Sequence, residues 1–382
     1  MVGERLVVVL GMHRSGTSAV TRALMALGVE LGDSLLPAQK ENPKGFFEDS
    51  DLNSLNIEML GTIGQRWDSL SPVGDSHIDR LWQLGLGEKA ARILEQKLSV
   101  HPIFAFKDPR VPKLLGFWQS VFEELRLDVS YLLVLRNPLS VAHSLAARDG
   151  FSREKSYALW LGHVVNSLLL TSGKPRTLVE FDIFMGDPER ELMRMADELS
   201  LEVDEHELDV FVSEFLEENL RHAHFDAAAL LSDPSCSPTV FEVYSNLATL
   251  GRAGNRPKEI PLEMVSTWHK TMAILEMTFK MADAIESRVD VLSSEVSALC
   301  GQLVQREESA EHLTHTLKMQ EEMVSRLQHT ISERESSIAE LSGSVGSLEG
   351  RLADIYASTS WKITAPFRAL SSTLSKAFGK KG

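Results

Sequence analysis

Cysteine is almost missing from the sequence: Cys236 and Cys300 are the two in 382 residues, too far apart for a disulfide framework or a zinc-type cluster. That scarcity fits a reducing compartment. Long apolar runs are missing too. Near the N-terminus, Leu6-Val7-Val8-Val9-Leu10 follows Glu4 and Arg5 and is too short for a signal-peptide core or a membrane span. It is expected to be a buried strand, and the protein is expected to be cytoplasmic. Positive charge is also in deficit. A formal net charge of −15 argues against general nucleic-acid binding, although local basic sites can stand within an acidic chain.

What is present falls into an α/β pattern over about 1–260. Apolar runs at 5–10, 102–106, 129–135 and 176–181 lack polar alternation, as parallel strands buried on both faces do. Helical patterns lie between them at 17–27, 79–99, 113–126, 139–147 and 153–171. This alternation predicts a doubly wound parallel sheet. Further helices are expected over 187–225, and 226–260 reads as loop-rich, with Pro234, Pro238, Gly251, Gly254 and Pro257. A helical linker is expected over 261–288.

From Val289 the pattern changes. Apolar positions then advance by alternating steps of three and four, with a positions from Val289 to Leu352 and d positions from Leu292 to Ile355. Seventeen of these twenty are apolar, the exceptions being Arg306, Gln320 and Arg334 at d. An unbroken heptad register of this kind predicts a coiled coil over 289–355. Mostly β-branched residues at a with Leu at d favour a parallel homodimer, and the polar d residues weaken the seam while fixing its register. A helix folded back on itself is the alternative, but Gly301, Gly343, Gly346 and Gly350 form no turn cluster. The tail, 356–382, carries five cations from Lys362 to Lys381, interleaved with Trp361, Ile363, Phe367, Leu370, Leu374 and Phe378. Such an amphipathic element suits peripheral contact with an anionic membrane, here the inner membrane face, or a docking partner.

After the first strand comes Gly11-Met12-His13-Arg14-Ser15-Gly16-Thr17-Ser18, then a helix. A strand, a Gly-bounded turn and a helix start together direct backbone N–H groups at an anion. The P-loop pattern Gly-x-x-x-x-Gly-Lys-[Ser/Thr] is nearly met, but Thr17 stands where the lysine would bridge β- and γ-phosphates. Arg14, inside the loop, supplies the charge instead. A second element follows 129–135: Arg136-Asn137-Pro138, with Ser144 eight residues after Arg136. Arg136 offers a forked, permanently charged donor suited to phosphate, and Pro138 suits a first helical turn.

These two elements resemble the phosphate sites of the P-loop sulfotransferases, which use 3′-phosphoadenosine 5′-phosphosulfate (PAPS) as co-substrate. The resemblance implies that His13, Arg14, Ser15, Gly16, Thr17 and Ser18 form the 5′-phosphosulfate loop and that Arg136 and Ser144 clasp the 3′-phosphate. Phe106-Lys107-Asp108-Pro109-Arg110, Val179-Glu180-Phe181-Asp182 and Asn219-Leu220-Arg221-His222 are similar to further segments of bacterial and tyrosylprotein-type members, with Phe181 where a Tyr is usual. The resemblance covers about 5–250 and makes 1–260 the PAPS-binding domain.

Sulfuryl transfer needs in-line geometry, a neutralised leaving group and a base for the acceptor hydroxyl. Arg14 and Lys107 are the expected electrostatic stabilisers. By the same resemblance the base is Glu48, in Gly45-Phe46-Phe47-Glu48, with Glu41, Asp108 and His13 behind it. His222 and His224 are too isolated for a metal site, and no metal is expected. The tail's Ser358-Thr359-Ser360-Trp361-Lys362-Ile363-Thr364-Ala365-Pro366 looks like a segment ending bacterial surface-polysaccharide enzymes, which implies a carbohydrate acceptor of a polysaccharide or glycolipid. The rival readings are an atypical P-loop kinase or NTPase, for which Asp108 would hold Mg²⁺, and a non-catalytic coiled-coil scaffold.

Overall fold

A computed structural model describes residues 4–39, 42, 44–216, 225–252 and 260–378. The chain divides into two units, Met1–Val289 and Asp290–Gly382.

The first unit is built on one parallel sheet. Strands β1 (Arg5–Leu10), β2 (Ile103–Lys107), β3 (Asp128–Leu135) and β4 (Arg176–Glu180) lie in the order β2-β1-β3-β4. Alternate side chains enter two cores. Val7 and Val9 of β1 join Leu132, Val134 and Val179 on one face, whereas Leu6, Val8 and Leu10 join Phe104, Phe106 and Leu133 on the other. Burial on both faces is the reason the strands read as unbroken apolar runs.

Helices α1 (Thr17–Ala23), α2 (Ser50–Thr62), α3 (Asp75–Gln83), α4 (Leu86–Val100), α5 (Val111–Glu124), α6 (Pro138–Asp149), α7 (Arg153–Leu170), α8 (Phe181–Gly186), α9 (Pro188–Leu199), α10 (Glu205–Val210), α11 (Ala227–Leu231) and α12 (Pro238–Arg252) surround the sheet, and α13 (Leu262–Ala357) begins beside it. The first face is covered by α1, α8, α9 and α10; the other helices pack over the second. Helices on both faces make the unit an α/β fold of the doubly wound kind.

Several local expectations need correction. The helix expected over 79–99 is two, because the chain breaks at Gly85, which sits in the left-handed region at φ 77°. The helix expected over 17–27 tightens into a 3₁₀ turn at Leu24–Leu27. The stretch 226–260, read as loop-rich, holds α12, which buries Val240, Val243, Tyr244 and Leu247. Helix α2 was not expected. Asp49 caps it by accepting N–H bonds from Asp51 and Leu52 at 3.0 and 3.2 Å. Its inner face carries Asn53 and Asn56 among Leu52, Leu55 and Met59, and those buried amides obscure the apolar periodicity.

Helix α13 runs 96 residues without interruption, which excludes the folded-back helix. Its first turns belong to the first unit. Val265 and Trp268 are buried, and the Trp268 indole donates to Glu242 Oε1 at 3.0 Å. Asp283 accepts the N–H groups of Leu70 and Ser71 at 2.7 and 2.9 Å. Of the expected linker 261–288, all but Pro261 therefore lies within this one helix.

In the second unit, α13 continues to Ala357 and is followed by α14 (Thr359–Ile363) and α15 (Ala365–Phe378). The large apolar a and d residues here are between 43% and 66% exposed. In the tail, the Arg368 guanidinium lies 3.5 Å from the Trp361 ring centroid, while Ile363, Phe367, Leu370 and Leu374 are exposed. The Phe378 side chain lies outside the described residues. Among the described residues no helix is long and apolar enough to cross a membrane.

Removing Trp268 should destabilise the first unit although it lies beyond the sheet. Trp268→Ala is expected to cost about 3–5 kcal/mol in urea unfolding. A chain ending at residue 260 should melt well below one ending at 289. Equal melting of the two truncations would show that the helix base adds nothing to the unit.

Candidate active site

Four parallel strands deliver their carboxyl ends to one edge of the sheet, where ligands bind in such folds. Central β1 ends in the Gly-rich loop, flanked by the ends of β2 and β3. The loop turns back through two left-handed residues, Arg14 at φ 67° and Gly16 at φ 83°. At Gly16 only glycine fits: a Cβ there would stand 2.1 Å from the Phe181 ring. For arginine a positive φ costs about 1–3 kcal/mol. Contacts at both ends of the residue hold it. Arg14 Nε donates to Ser144 Oγ at 2.7 Å, and the Arg14 carbonyl accepts from Arg136 Nη1 at 2.8 Å. The two phosphate elements, far apart in sequence, are thereby joined directly.

Arg136 stands at the end of β3 with its guanidinium 4.7 Å above the Phe181 ring. Burial lowers its pKa from the usual guanidinium value, and the neighbouring Arg14 acts the same way, while Asp182 opposes them. Phe181 thus has a packing role that needs no hydroxyl. It fills the space beneath Gly16 and supports Arg136.

Lys107 ends β2 and is buried. Its Nζ donates to Glu48 Oε1 at 2.7 Å and reaches Ser18 Oγ at 3.4 Å. Glu48 arrives through Phe47, itself left-handed at φ 54°. Its other oxygen accepts from Asn53 Nδ2 at 2.8 Å. Burial raises the Glu48 pKa above the usual carboxylate value; Lys107 pulls it down and Asp108 pushes it up. Asn42 Nδ2 also donates to Ser18 Oγ, at 3.2 Å.

A cleft of about 700 Å³ collects these groups. His13, Arg14, Gly16, Thr17, Ser18, Glu48, Lys107 and Arg136 all line it. Ser144 reaches it through its bond to Arg14. Ser15 is different: it is buried, and its N–H already donates to the Met12 carbonyl at 3.1 Å. Among the described lining residues Arg14, Lys44, Lys107, Arg110, Arg136 and Arg148 carry six positive charges, against the two carboxylates Glu48 and Asp149. A cationic cleft in a chain of net charge −15 is built for an anion.

Of the other base candidates, Asp108 is buried and held by Asn53, Asn56 and Arg110 at 3.0–3.3 Å, apart from the cleft lining. Its lone pairs serve donors within the fold, which also disfavours it as a magnesium ligand. Glu41, the 219–222 segment and His224 lie outside the described residues. His13 packs against Trp67, ring centroids 4.3 Å apart and planes tilted by 51°, and the His13 Nε2 is buried without a partner. Burial, reinforced by Arg110 and Arg148, holds its pKa well below the usual imidazole value, so it is neutral at pH 7.

Sequence reasoning missed the outer wall. Trp67 stacks on Phe151 with centroids 5.6 Å apart, and the Arg148 guanidinium lies 5.2 Å from the Trp67 ring centroid. Arg110 was visible only as the residue after Lys107-Asp108-Pro109, and Trp67 and Arg148 belong to no local pattern.

Deleting one partner of the buried Lys107–Glu48 pair should cost more than deleting both. Lys107→Met is expected to lower stability by about 3–5 kcal/mol and raise the Glu48 pKa further. Adding Glu48→Gln should recover most of the loss in urea unfolding. A double variant no more stable than the single one would show that the charge on Glu48 is not what suffers.

No family model and no curated protein matches the chain. Solved structures similar to it include the sulfotransferase domain from the Synechococcus PCC 7002 olefin synthase, at 15% identity and a TM-score of 0.36, covering 71% of this chain and 95% of that one. The sulfotransferase domain from the curacin biosynthetic pathway aligns at 13% identity and a TM-score of 0.34, covering 71% of this chain and 97% of that one. Values this low carry no weight for what the chain does.

Proposed function

We propose that the chain is a sulfotransferase that moves a sulfuryl group from PAPS to an acceptor hydroxyl. The observation that carries this reading is the cationic cleft around a P-loop-like turn in which Thr17 replaces the triphosphate lysine while Arg14, Lys107 and Arg136 converge. Gly16, Thr17, Ser18 and Arg14 would take the 5′-phosphosulfate, and Arg136 with Ser144 the 3′-phosphate. The acceptor oxygen forms a bond to sulfur as the bond from sulfur to the 5′-phosphate oxygen breaks. Glu48 removes the hydroxyl proton, and the adenosine 3′,5′-bisphosphate leaves. Protonation of Glu48 cancels the charge that Lys107 pairs with, so the lysine's charge then acts on the departing oxygen. No metal enters this scheme.

The acceptor in this reading is a carbohydrate hydroxyl of a surface polysaccharide or glycolipid. The tail supports that choice: Lys362 and Arg368 stand among the exposed Ile363, Phe367, Leu370 and Leu374, a composition suited to an anionic membrane surface.

Calorimetric titration of the full chain tests the nucleotide site. Adenosine 3′,5′-bisphosphate should bind much more tightly than Mg-ATP, and Arg136→Ala should weaken it by about tenfold to a hundredfold. A preference for Mg-ATP would sink the sulfuryl-transfer reading in favour of a kinase; binding of neither would favour a scaffold. Glu48→Gln should keep bisphosphate affinity but lower turnover by about 10²–10⁴-fold. Because burial raises the Glu48 pKa, the acid limb of the rate profile should lie above the ordinary glutamate range, with activity rising as pH increases through it.

A further inference from the structure

The second unit presents a long apolar stripe that nothing among the described residues covers, and the residues beside it say what would. With Val289 at a, the e positions include Glu307, Glu321, Glu335 and Glu349. Three of these follow directly on the three polar d residues: Arg306-Glu307, Gln320-Glu321 and Arg334-Glu335. In a parallel coiled coil a d side chain inserts into a hole of the facing helix that includes the e residue of the same heptad. We infer that this helix pairs with a second copy of itself, parallel and in register, with each polar d residue seated against the partner copy's glutamate.

The pairing resolves an otherwise costly arrangement. An arginine at d loses water on association and needs a partner for its charge. In register, each arginine layer holds two guanidiniums and two carboxylates and is neutral. A slip of one heptad replaces the glutamates with Cys300, Thr314, Gln328 or Ser342 and leaves both arginines unpaired. A slip of two heptads restores only some of the glutamates: it leaves one Arg306 beside Ser293, sets an arginine against Leu348 or Leu292 and shortens the seam at both ends. An antiparallel pair brings e against e, so the glutamate row would meet its own copy. The g positions add no opposing preference, since from Gln302 to Ser344 none of them is charged. The stripe is available for this use: α13 is one continuous helix, and its a and d residues are about half exposed.

The test uses the full chain with Cys236→Ser and Cys300→Ser as background. Sedimentation equilibrium should show a dimer at micromolar concentration. Leu299→Cys and Leu341→Cys, each alone, should oxidise to a disulfide-linked dimer, whereas mixed Leu299→Cys and Val345→Cys chains should give no cross-linked heterodimer. Glu307→Lys with Glu335→Lys should raise the dimer dissociation constant by about tenfold or more, and adding Arg306→Glu with Arg334→Glu should restore it. Circular dichroism confirms that each variant keeps its helix content. A monomer or a higher oligomer would overturn the inference, as would cross-linking only in the mixed chains. A parallel dimer indifferent to the charge changes would overturn the seating of the arginines. These outcomes are independent of nucleotide binding.

Discussion

Positive charges gathered around one cleft repel each other and lose water, so the fold must hold every one of them before any ligand arrives. That constraint organises the first unit. Lys107 is held by Glu48, Arg14 by Ser144, Arg110 by Asp108, Arg148 by Asp149 and Lys44 by the Glu214 carbonyl and the Phe215 ring, while Arg136 donates to the Arg14 carbonyl and rests over Phe181. The tethers fall into two kinds. Carboxylates neutralise Lys107, Arg110 and Arg148, whereas Arg14 and Arg136 are held by a hydroxyl, a carbonyl and an aromatic face. The Arg14 and Arg136 contacts sit where the two phosphate elements meet, and Asp182 adds an opposite charge near Arg136.

The sheet makes this arrangement possible. With β1 between β2 and β3, the loop after β1 is bordered by Lys107 on one side and Arg136 on the other. The end of β4 adds Phe181 beneath the loop. An all-parallel order sends all four strand ends to the same edge, so cations from widely separated sequence positions meet without any long excursion of the chain.

How much of this could be read in the sequence depended on whether the signal was local. The four strands were legible because burial on both faces removes polar alternation. The loop from Gly11 to Ser18 and the spacing of Arg136 and Ser144 were legible because each is a short constellation on one strand end. Helix α2 was not, since Asn53 and Asn56 interrupt its apolar face. Those asparagines are on that face to bind Glu48 and Asp108, so the site itself masked the helix. Trp67 and Arg148 are some eighty residues apart in sequence and meet only in the folded chain, beyond the reach of any local pattern. The direct bond from Arg14 to Ser144 is of the same kind: both residues were legible, their contact was not.

The outer wall of the cleft also explains why the first turns of α13 are inseparable from the first unit. Trp67 stands on a stretch whose backbone is exposed to competition from water unless something accepts its N–H groups. Asp283 accepts those of Leu70 and Ser71, and Lys155 bridges Asp68 to Glu286. Lys113, half-buried and with its pKa lowered by desolvation to about 8, donates to the carbonyls of Ser69 and Ser71 from the other side. One short segment is thus clamped between α5, α7 and α13, and its tryptophan is what His13 of the Gly-rich loop packs against. The same helix that carries the heptad stripe therefore braces the wall of the anion cleft through side chains at 283 and 286, which lie on it before the second unit begins. Loss of that bracing frees the segment bearing Trp67 first, and it reaches the phosphate loop through the His13–Trp67 contact.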